Sequence, residues 1–270
     1  NNAEGLRKTL VSVASQTYAD IEHIIVDGGS TDESVDIIRQ YADNGAIRQR
    51  GDEAKRQVIW ISEPDTGIYN AMNQGIRMAH GEYLLFLNSG DYLIDTNVLQ
   101  MVDDTNMQAD VCYFDAIFTK QGEPYLTRTY PDSLSLRFFL SDSLCHQATF
   151  YQLSALSEYE GYDEQYKLIG DWALNVKLIV LNNCSIQHYP SVTTCYEIGG
   201  LSWTDEGRQR CEDEKNIFLR ANISSKILDD YHYWTTVETS DWYRRIVRIK
   251  SRKIRKILLG LIKLLNRLDK

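Results

Sequence analysis

The sequence has few cysteines and none of the spacings that mark cysteine-based sites. Its five Cys residues are an odd number, and no two of them form a C-x-x-C pair. This pattern argues against a disulfide framework and a zinc ribbon, so we expect reduced thiols in a cytoplasmic protein. The sequence also has no basic, apolar leader and no run of about 18 uncharged apolar residues. We therefore expect neither a secretion signal nor a single membrane-spanning helix.

Two common phosphate-binding loops are also absent. The sequence contains no G-x-x-x-x-G-K-S/T motif, and no G-x-G-x-x-G motif follows its first predicted strand. The glycines at positions 28 and 29 precede a predicted helix, as in some phosphate loops, but Asp27 and Asp32 flank them. Because two carboxylates disfavour a phosphate, the pattern favours recognition of a base or another polar group.

Charge is distributed unevenly along the chain. The full sequence carries a net charge of −9, yet residues 242–270 contain eleven Lys and Arg against one Asp. Residues 1–241 are therefore strongly acidic. An acidic body repels phosphate backbones, and we expect no nucleic-acid partner.

The basic C-terminal segment, residues 242–270, has the pattern of an amphipathic helix. Its apolar residues recur at steps of three, four or seven, and Lys and Arg fill most of the other positions. The recurring apolar residues are Ile246, Val247, Ile254, Leu258, Leu261, Leu265 and Leu268. Basic amphipathic helices bind anionic membrane surfaces, and we predict that role here. The alternative is a helix that packs on the acidic body.

Upstream of residue 115 the pattern alternates between strands and helices. Strands are predicted at 22–27, 58–62 and 83–87, and helices at 6–15, 30–44 and 68–80. Ser30 and Glu33 have the spacing of a capping box, which predicts the start of the second helix. Strands joined by helices of this length predict right-handed crossovers and a parallel sheet, hence an α/β fold. No strand precedes the first helix, so we expect the first strand of the sheet to be missing from the sequence.

Acidic or amide residues follow each of the three strands. They are Asp27, Asp65 and the pair Asn88 and Asp91. Ligands of open α/β sheets gather at the carboxyl ends of the strands, so we expect these residues to share one edge. Carboxylates at such an edge can hold a divalent cation and hydrogen-bond a base or a ribose.

Several runs of the sequence resemble those of the family 2 glycosyltransferases. The runs are IVDGGSTD at 25–32, EPDTGIYNAMN at 63–73, GEYLLFLNSGD at 81–91, HQATFY at 146–151, GDW at 170–172 and GGLS at 199–202. They follow the family's order, and the resemblance covers residues 1–205. Within the family, the sequence is most similar to the bacterial branch that builds O-antigen, capsule or exopolysaccharide units.

The resemblance implies a GT-A fold, in which a nucleotide-binding half merges with an acceptor half. Such a fold has a Rossmann-like, mostly parallel sheet flanked by helices. We expect this domain at residues 1–205, a helical part at 206–241 and the basic amphipathic extension at 242–270.

The resemblance also implies roles on the donor side. Asp27 would read the nucleobase, and Asp65 would help to hold the nucleoside. Residues 88–91 stand where the family has its D-x-D motif, which binds Mn²⁺ or Mg²⁺ on the donor diphosphate; Asn88 and Ser89 are therefore predicted to contact the nucleotide sugar. Because position 88 is Asn and position 90 is Gly, Asp91 is the only carboxylate left and is the predicted metal ligand.

Further roles concern the reacting groups and a loop. Asp171 matches the family's catalytic aspartate; the alternative is an ordinary Asp at a helix N-terminus, where the helix dipole favours a negative charge. His146 is either a structural residue or a contact of the metal or donor phosphate. The loop residues Gly199, Gly200 and Ser202 would close over the diphosphate, where adjacent glycines let backbone N–H groups approach an anion.

These expectations define an inverting sugar transferase. A nucleotide-diphosphate sugar, expected to be a UDP-sugar, would donate its sugar to a hydroxyl of a polyprenyl-diphosphate-linked saccharide at the inner face of the cell membrane. Asp171 would remove the acceptor proton in an oxocarbenium-like transition state. Two alternatives stay open: a sugar-phosphate nucleotidyltransferase, and a catalytically inactive GT-A scaffold, which the altered D-x-D motif suggests.

Overall fold

The computed structural model of the protein describes residues 1–43, 57–241, 243–244, 248 and 251–268. Contacts divide the chain into two compact units, residues 1–215 and 216–270. The division at residues 205 and 241 that the sequence suggests stays a prediction, as does the missing first strand.

A two-stranded parallel sheet opens the first unit. Its elements are α1 (Ala3–Ala14), β1 (Glu22–Asp27), α2 (Ser34–Asp43), β2 (Gln57–Ser62) and α3 (Ile68–Met78). The pairing of β1 with β2 runs in register from Glu22 opposite Gln57 to Asp27 opposite Ser62. Ile25 of β1 is buried against a cluster with Leu10, Ile37 and Ile38 from the two flanking helices. The predicted strand at 22–27 is confirmed, and Asp27 lies at its carboxyl end.

A larger sheet of six strands completes this unit. Its elements, with the intervening helices, are β3 (Tyr83–Leu85), β4 (Tyr92–Leu93), α4 (Val98–Asp103), β5 (Val111–Lys120), β6 (Glu123–Arg128), α5 (Leu136–Ser141), β7 (Thr149–Gln152), α6 (Leu153–Glu158), α7 (Gly170–Asn175) and β8 (Ile186–Glu197). The strand order is β3-β7-β5-β8-β4, and β6 pairs with β5. The central strand β5 is buried along most of its length, so the core of the unit lies on this sheet.

The larger sheet is mixed, so the prediction of a mostly parallel sheet is wrong for this part of the fold. Only β5 and β8 pair in parallel; β3–β7, β5–β7, β5–β6 and β4–β8 are antiparallel. A short turn can join antiparallel strands, whereas parallel strands need a long crossover. Gln121 and Gly122, both with positive φ, form such a turn between β5 and β6. The α/β class itself is confirmed.

The second helix starts later than its capping pattern predicts. The capping box predicted at Ser30 is wrong, because α2 starts at Ser34 and the Asp32 carboxylate accepts a hydrogen bond from the Ser34 N–H. The end predicted at residue 44 lies outside the described residues. Farther along the chain, α7 ends at Asn175 and continues as a π-helical turn, Val176–Leu181.

The C-terminal part is helical. After a short 3₁₀ turn at Leu201–Trp203 come α8 (Asp205–Asn222), α9 (Ser225–Thr239) and α10 (Arg252–Leu268). Four apolar side chains of α10, three or four positions apart, are half exposed or more: Ile254, Ile257, Leu261 and Leu264. Ile246 and Val247 of the predicted stripe lie outside the described residues. None of the helices that the structure describes combines the length and hydropathy needed to cross a membrane.

Candidate active site

Asp27 is fixed at the carboxyl end of β1 by three donors. Its Oδ2 accepts hydrogen bonds from the Ser62 hydroxyl (2.7 Å), the Ser30 N–H (2.9 Å) and the Gly29 N–H (3.1 Å). Gly29 has φ +81°, a conformation that favours glycine, so this tight turn suits the residue. Burial alone would raise the pKa of Asp27, but these hydrogen bonds outweigh it and hold the pKa below its ordinary value. Asp27 is therefore an ionised acceptor in a rigid loop.

Asp65 lies on the adjoining loop after β2. Any side chain at Gly28 would collide with the Asp65 carboxylate, so these two loops touch. The Asp65 Oδ1 also accepts a hydrogen bond from the Gly67 N–H (2.9 Å), which shapes the turn into α3. The structure thus brings the two predicted nucleoside-binding carboxylates to one edge of the β1–β2 sheet.

The first two residues connect this edge to the 88–91 segment. The Asn1 side chain accepts a hydrogen bond from the Thr31 N–H (2.7 Å). Asn2 and Ser89 exchange two bonds of 2.9 Å: the Asn2 amide donates to the Ser89 carbonyl, and the Ser89 hydroxyl donates to the Asn2 carbonyl. The predicted donor-binding segments are therefore joined directly.

Asp91 faces inward. Its side chain is 4% exposed, and its two oxygens accept hydrogen bonds from the Gln147 amide (2.7 Å) and the Glu197 N–H (3.3 Å). Burial raises the pKa of Asp91 above its ordinary value. Sequence reasoning missed Gln147, although it directly follows His146 in the quoted HQATFY run.

Asn88, His146, Asp171 and Tyr69 form one hydrogen-bonded chain. The Asn88 Nδ2 lies 3.1 Å from His146 Nε2, and His146 Nδ1 lies 3.1 Å from Asp171 Oδ2. The Tyr69 hydroxyl donates to Asp171 Oδ1 at 3.2 Å. Burial would raise the pKa of Asp171, but the hydrogen bonds from His146 and Tyr69 help to bring it below its ordinary value. The Asp171 side chain is still 22% exposed, so an ionised carboxylate reaches solvent here.

Tyr69 is the second residue that sequence reasoning missed. Its ring stacks on Tyr162 with centroids 5.4 Å apart, and it lies so close to Gly170 that an added Cβ there would be 2.6 Å from the ring. The glycine before Asp171 therefore lets the start of α7 approach α3. Tyr69 lies in the run that carries the family resemblance, but the sequence gives no sign that it contacts a residue 102 positions away.

The loop with Gly199, Gly200 and Ser202 follows the end of β8. Glu197 closes that strand and donates its N–H to Asp91, so the loop leaves the sheet beside the 88–91 segment. Gly199 has φ +118°, which favours glycine. The Trp203 indole donates to the Tyr196 hydroxyl at 3.0 Å and ties the loop back to β8.

The residues present do not by themselves build a metal site. In the described ranges, no three His, Cys, Asp or Glu side chains come together as metal ligands. Asp91 is buried with protein donors on both oxygens, and both ring nitrogens of His146 lie within hydrogen-bond distance of side chains. A divalent cation needs six or more oxygen ligands or several water molecules. The metal roles of Asp91 and His146 therefore stay predictions.

Two solved structures share the fold of this chain. Residues 1–349 of TarS from S. aureus, in complex with UDP-GlcNAc, align with a TM-score of 0.61 and 18% identity, over 92% of this chain and 74% of that chain. The mannosyltransferase PcManGT from Pyrobaculum calidifontis, in complex with GDP-Man and Mn²⁺, aligns with a TM-score of 0.62 and 13% identity, over 98% and 77%. The fold is thus that of the GT-A glycosyltransferases.

Sequence relatives narrow this class to a family. A PGL/p-HBAD biosynthesis glycosyltransferase of Mycobacterium bovis is 32% identical over 208 residues, 76% of each chain. An uncharacterized glycosyltransferase of Mycobacterium tuberculosis is 35% identical over 176 residues, 63% of this chain and 62% of the relative. The family model for glycosyl transferase family 2 matches residues 1–156. The chain belongs to this family, and the predictions of the family and of a glycosyltransferase are confirmed.

Proposed function

We propose that this glycosyltransferase moves a sugar, with inversion, from a UDP-sugar to a hydroxyl of a lipid-linked saccharide in surface polysaccharide synthesis. The observation that carries the proposal is the Asp171 carboxylate, which is ionised, partly exposed and held on both oxygens by Tyr69 and His146. A general base of glycosyl transfer needs this combination, because it must be unprotonated, oriented and within reach of the acceptor.

Asp171 performs the proton transfer in this proposal. The acceptor hydroxyl gives its proton to Asp171 while its oxygen forms a bond to the anomeric carbon. The bond from that carbon to the phosphate oxygen breaks, and the nucleoside diphosphate leaves with the electron pair. One displacement from the face opposite the leaving group inverts the configuration.

The donor side rests on Asp27 and Asp65. An ionised Asp27 accepts a hydrogen bond from the N–H of a nucleobase, and Asp65 on the touching loop contacts the nucleoside. The complex of the fold neighbour TarS with UDP-GlcNAc supports a uridine donor, and that of PcManGT with GDP-Man makes GDP-sugars the competing class to assay.

A membrane-bound acceptor is supported by α10. Its exposed apolar residues share one face, while the same helix carries six Lys and Arg in its sequence. A helix with this pattern lies in an anionic membrane surface, with the apolar face among the acyl chains. A lipid-linked saccharide in the cytoplasmic leaflet is then an acceptor that the enzyme meets at that surface, and the protein is peripheral on the inner face of the membrane.

Nucleoside diphosphate release tests the proposal. The full chain is assayed with UDP-GlcNAc, UDP-Glc, UDP-Gal and GDP-Man against polyprenyl-diphosphate-linked saccharides, and the anomeric configuration of the product is determined by NMR. Asp171→Asn should lower turnover more than about tenfold, equivalent to at least ~1.4 kcal/mol in the barrier, without weakening UDP binding. The matched control is Asp163→Asn, an exposed Asp eight positions away that should keep full activity. Retained turnover in Asp171→Asn, or a product of retained configuration, contradicts the proposal.

A further inference from the structure

Asn88 lies in the segment that resembles the family's D-x-D motif, and its amide already has a partner. The Asn88 Nδ2 lies 3.1 Å from His146 Nε2. The backbone of Asn88 is anchored as well: its carbonyl accepts hydrogen bonds from the Asp91 N–H (3.0 Å) and the Thr9 hydroxyl (3.2 Å). Because the backbone of Asn88 is held in a fixed turn, its side-chain amide is oriented toward the imidazole of His146.

The chemistry of the two partners sets the proton on His146. An amide nitrogen only donates, and a carboxylate only accepts. In a neutral imidazole one nitrogen donates and the other accepts. With Asn88 donating to Nε2, the proton of His146 must sit on Nδ1, from which it is donated to Asp171 Oδ2 at 3.1 Å. An aspartate at position 88 would need a proton on Nε2 as well, because its carboxylate only accepts, and an imidazole between two carboxylates favours the cationic form with both nitrogens protonated.

We infer that Asn88 is a positioning residue that acts through the tautomer of His146 to hold the Asp171 carboxylate. The inference rests on the proposed role of Asp171 as the base. Asn88 fixes the Nδ1–H tautomer of His146. His146 then donates a hydrogen bond to Asp171 Oδ2, and the Tyr69 hydroxyl donates one to Asp171 Oδ1. One lone pair on each carboxylate oxygen is satisfied within the protein, and the carboxylate cannot rotate while it waits for the acceptor hydroxyl.

This role explains why an amide is present where a carboxylate is usual. An amide at position 88 carries no charge toward the donor, and instead it donates the hydrogen bond that orients His146 toward the base. It also separates Asn88 from Ser89 and Asp91, whose side chains bond to Asn2 and to Gln147. Within the 88–91 segment, the Asn88 side chain thus connects the proposed donor site to the proposed base through His146.

The tautomer can be read directly by NMR of the full chain labelled with ¹⁵N-histidine. The five His residues give few signals, and His146→Asn identifies those of His146. We expect a protonated Nδ1 and an unprotonated Nε2 in the wild type. In Asn88→Asp, Nε2 should become protonated. A wild-type His146 with its proton on Nε2, or protonated on both nitrogens, overturns the inference, and so does an unchanged spectrum in Asn88→Asp.

Kinetics separate positioning from donor binding. Asn88→Asp should lower kcat about 10- to 100-fold, because a cationic His146 makes the Asp171 carboxylate a weaker base, while the Kd of UDP changes less than about threefold. A variant with normal kcat and weakened UDP binding overturns the inference. His146→Asn keeps a hydrogen-bond donor near the place of Nδ1 and should therefore have a higher kcat than His146→Leu. An equal loss of kcat in both variants contradicts positioning. This pair of variants tests the inference if Asn88→Asp fails to fold.

The matched control is His80→Asn. His80 Nδ1 lies 2.9 Å from the Glu22 carboxylate, which makes a similar His–carboxylate pair at the opposite end of β1. The His80→Asn variant should leave kcat and the Kd of UDP unchanged. The NMR result does not depend on activity. If Asp171→Asn remains active while the tautomer is as expected, the proposed function fails and the assignment of the proton stands.

Discussion

Replacing Gly170 with Ala tests whether close packing between α7 and Tyr69 keeps Asp171 in place. An added Cβ would lie 2.6 and 2.7 Å from three ring carbons of Tyr69. Normal carbon–carbon contacts are about 3.5–4.0 Å, so the ring must retreat by about 1 Å. The ring also stacks on Tyr162, which limits the retreat. The Tyr69 hydroxyl, now 3.2 Å from Asp171, would then leave hydrogen-bond range.

The magnitude follows from three contributions. Overpacking a buried contact costs about 1–3 kcal/mol, and the lost hydrogen bond to a charged group costs about 1.5–3 kcal/mol. Against these, Ala is favoured over Gly within a helix by about 1 kcal/mol. We therefore expect Gly170→Ala to destabilise the fold by about 1.5–5 kcal/mol, which lowers the Tm by about 3–20 °C, since a unit of this size loses about 2–4 °C per kcal/mol.

Thermal unfolding and steady-state kinetics measured on the same preparations check this expectation. Gly75→Ala is the matched control, because Gly75 lies inside α3 and an added Cβ there meets nothing within 4 Å. That variant should be neutral or more stable by about 0.4–1 kcal/mol. Gly170→Ala should also lower kcat, whereas Gly75→Ala should not. Wild-type stability and kcat in Gly170→Ala, or an equal loss in both variants, would refute the reasoning.

Three further outcomes can be measured. A metal role for Asp91 requires that Asp91→Ala abolishes the Mn²⁺-dependent part of UDP affinity in calorimetry; unchanged affinity with and without Mn²⁺ contradicts that role. Lys253→Glu combined with Lys256→Glu should reduce sedimentation of the full chain with anionic liposomes, and binding equal to wild type would remove α10 as the membrane contact. Ser62→Ala removes a hydrogen bond to Asp27 and should lower the free energy of unfolding in urea at pH 7 by about 1 kcal/mol. The pKa of Asp27 is held below its unfolded value of about 3.9, so the ionised Asp27 stabilises the fold above that pH, and this stability is lost as the pH falls through the folded pKa. A cost of Ser62→Ala that does not shrink at acid pH would contradict this explanation.

Local patterns predicted the elements that local forces decide. The run of β-branched residues at 24–26 predicted β1, and the apolar spacing at 68–80 predicted α3 to within two residues. The start of α2 was missed because two carboxylates compete for the same loop: Asp27 binds the Ser30 N–H, and Asp32 becomes the acceptor at the helix start. A capping pattern does not reveal a stronger acceptor at the end of the preceding strand.

Pairings between distant segments were beyond the reach of these patterns. The mixed sheet depends on which strands meet, and β5 pairs with β8 across more than 60 residues of chain. In the same way, the sequence suggests Asp171 as a base and Asn88 as a donor contact, but their connection through His146 appears only when three segments fold together. Residue types predicted which side chains could act chemically, while long-range packing decided which of them are in contact.

Under the proposed function, the Tyr69–Asp171 bond has a consequence for how donor and acceptor affect each other's binding. Tyr69 belongs to α3, which leaves the loop that carries Asp65, whereas Asp171 begins α7 beside the larger sheet. If the donor binds at Asp65 as proposed and tightens that loop, it also restrains Asp171, the proposed base. Thermodynamic linkage makes this effect reciprocal, so the factor by which donor lowers the Kd of the acceptor is the factor by which acceptor lowers the Kd of the donor. Water that hydrolyses the donor would gain nothing from this coupling, because water makes no sugar contacts that could lower the Kd of the donor.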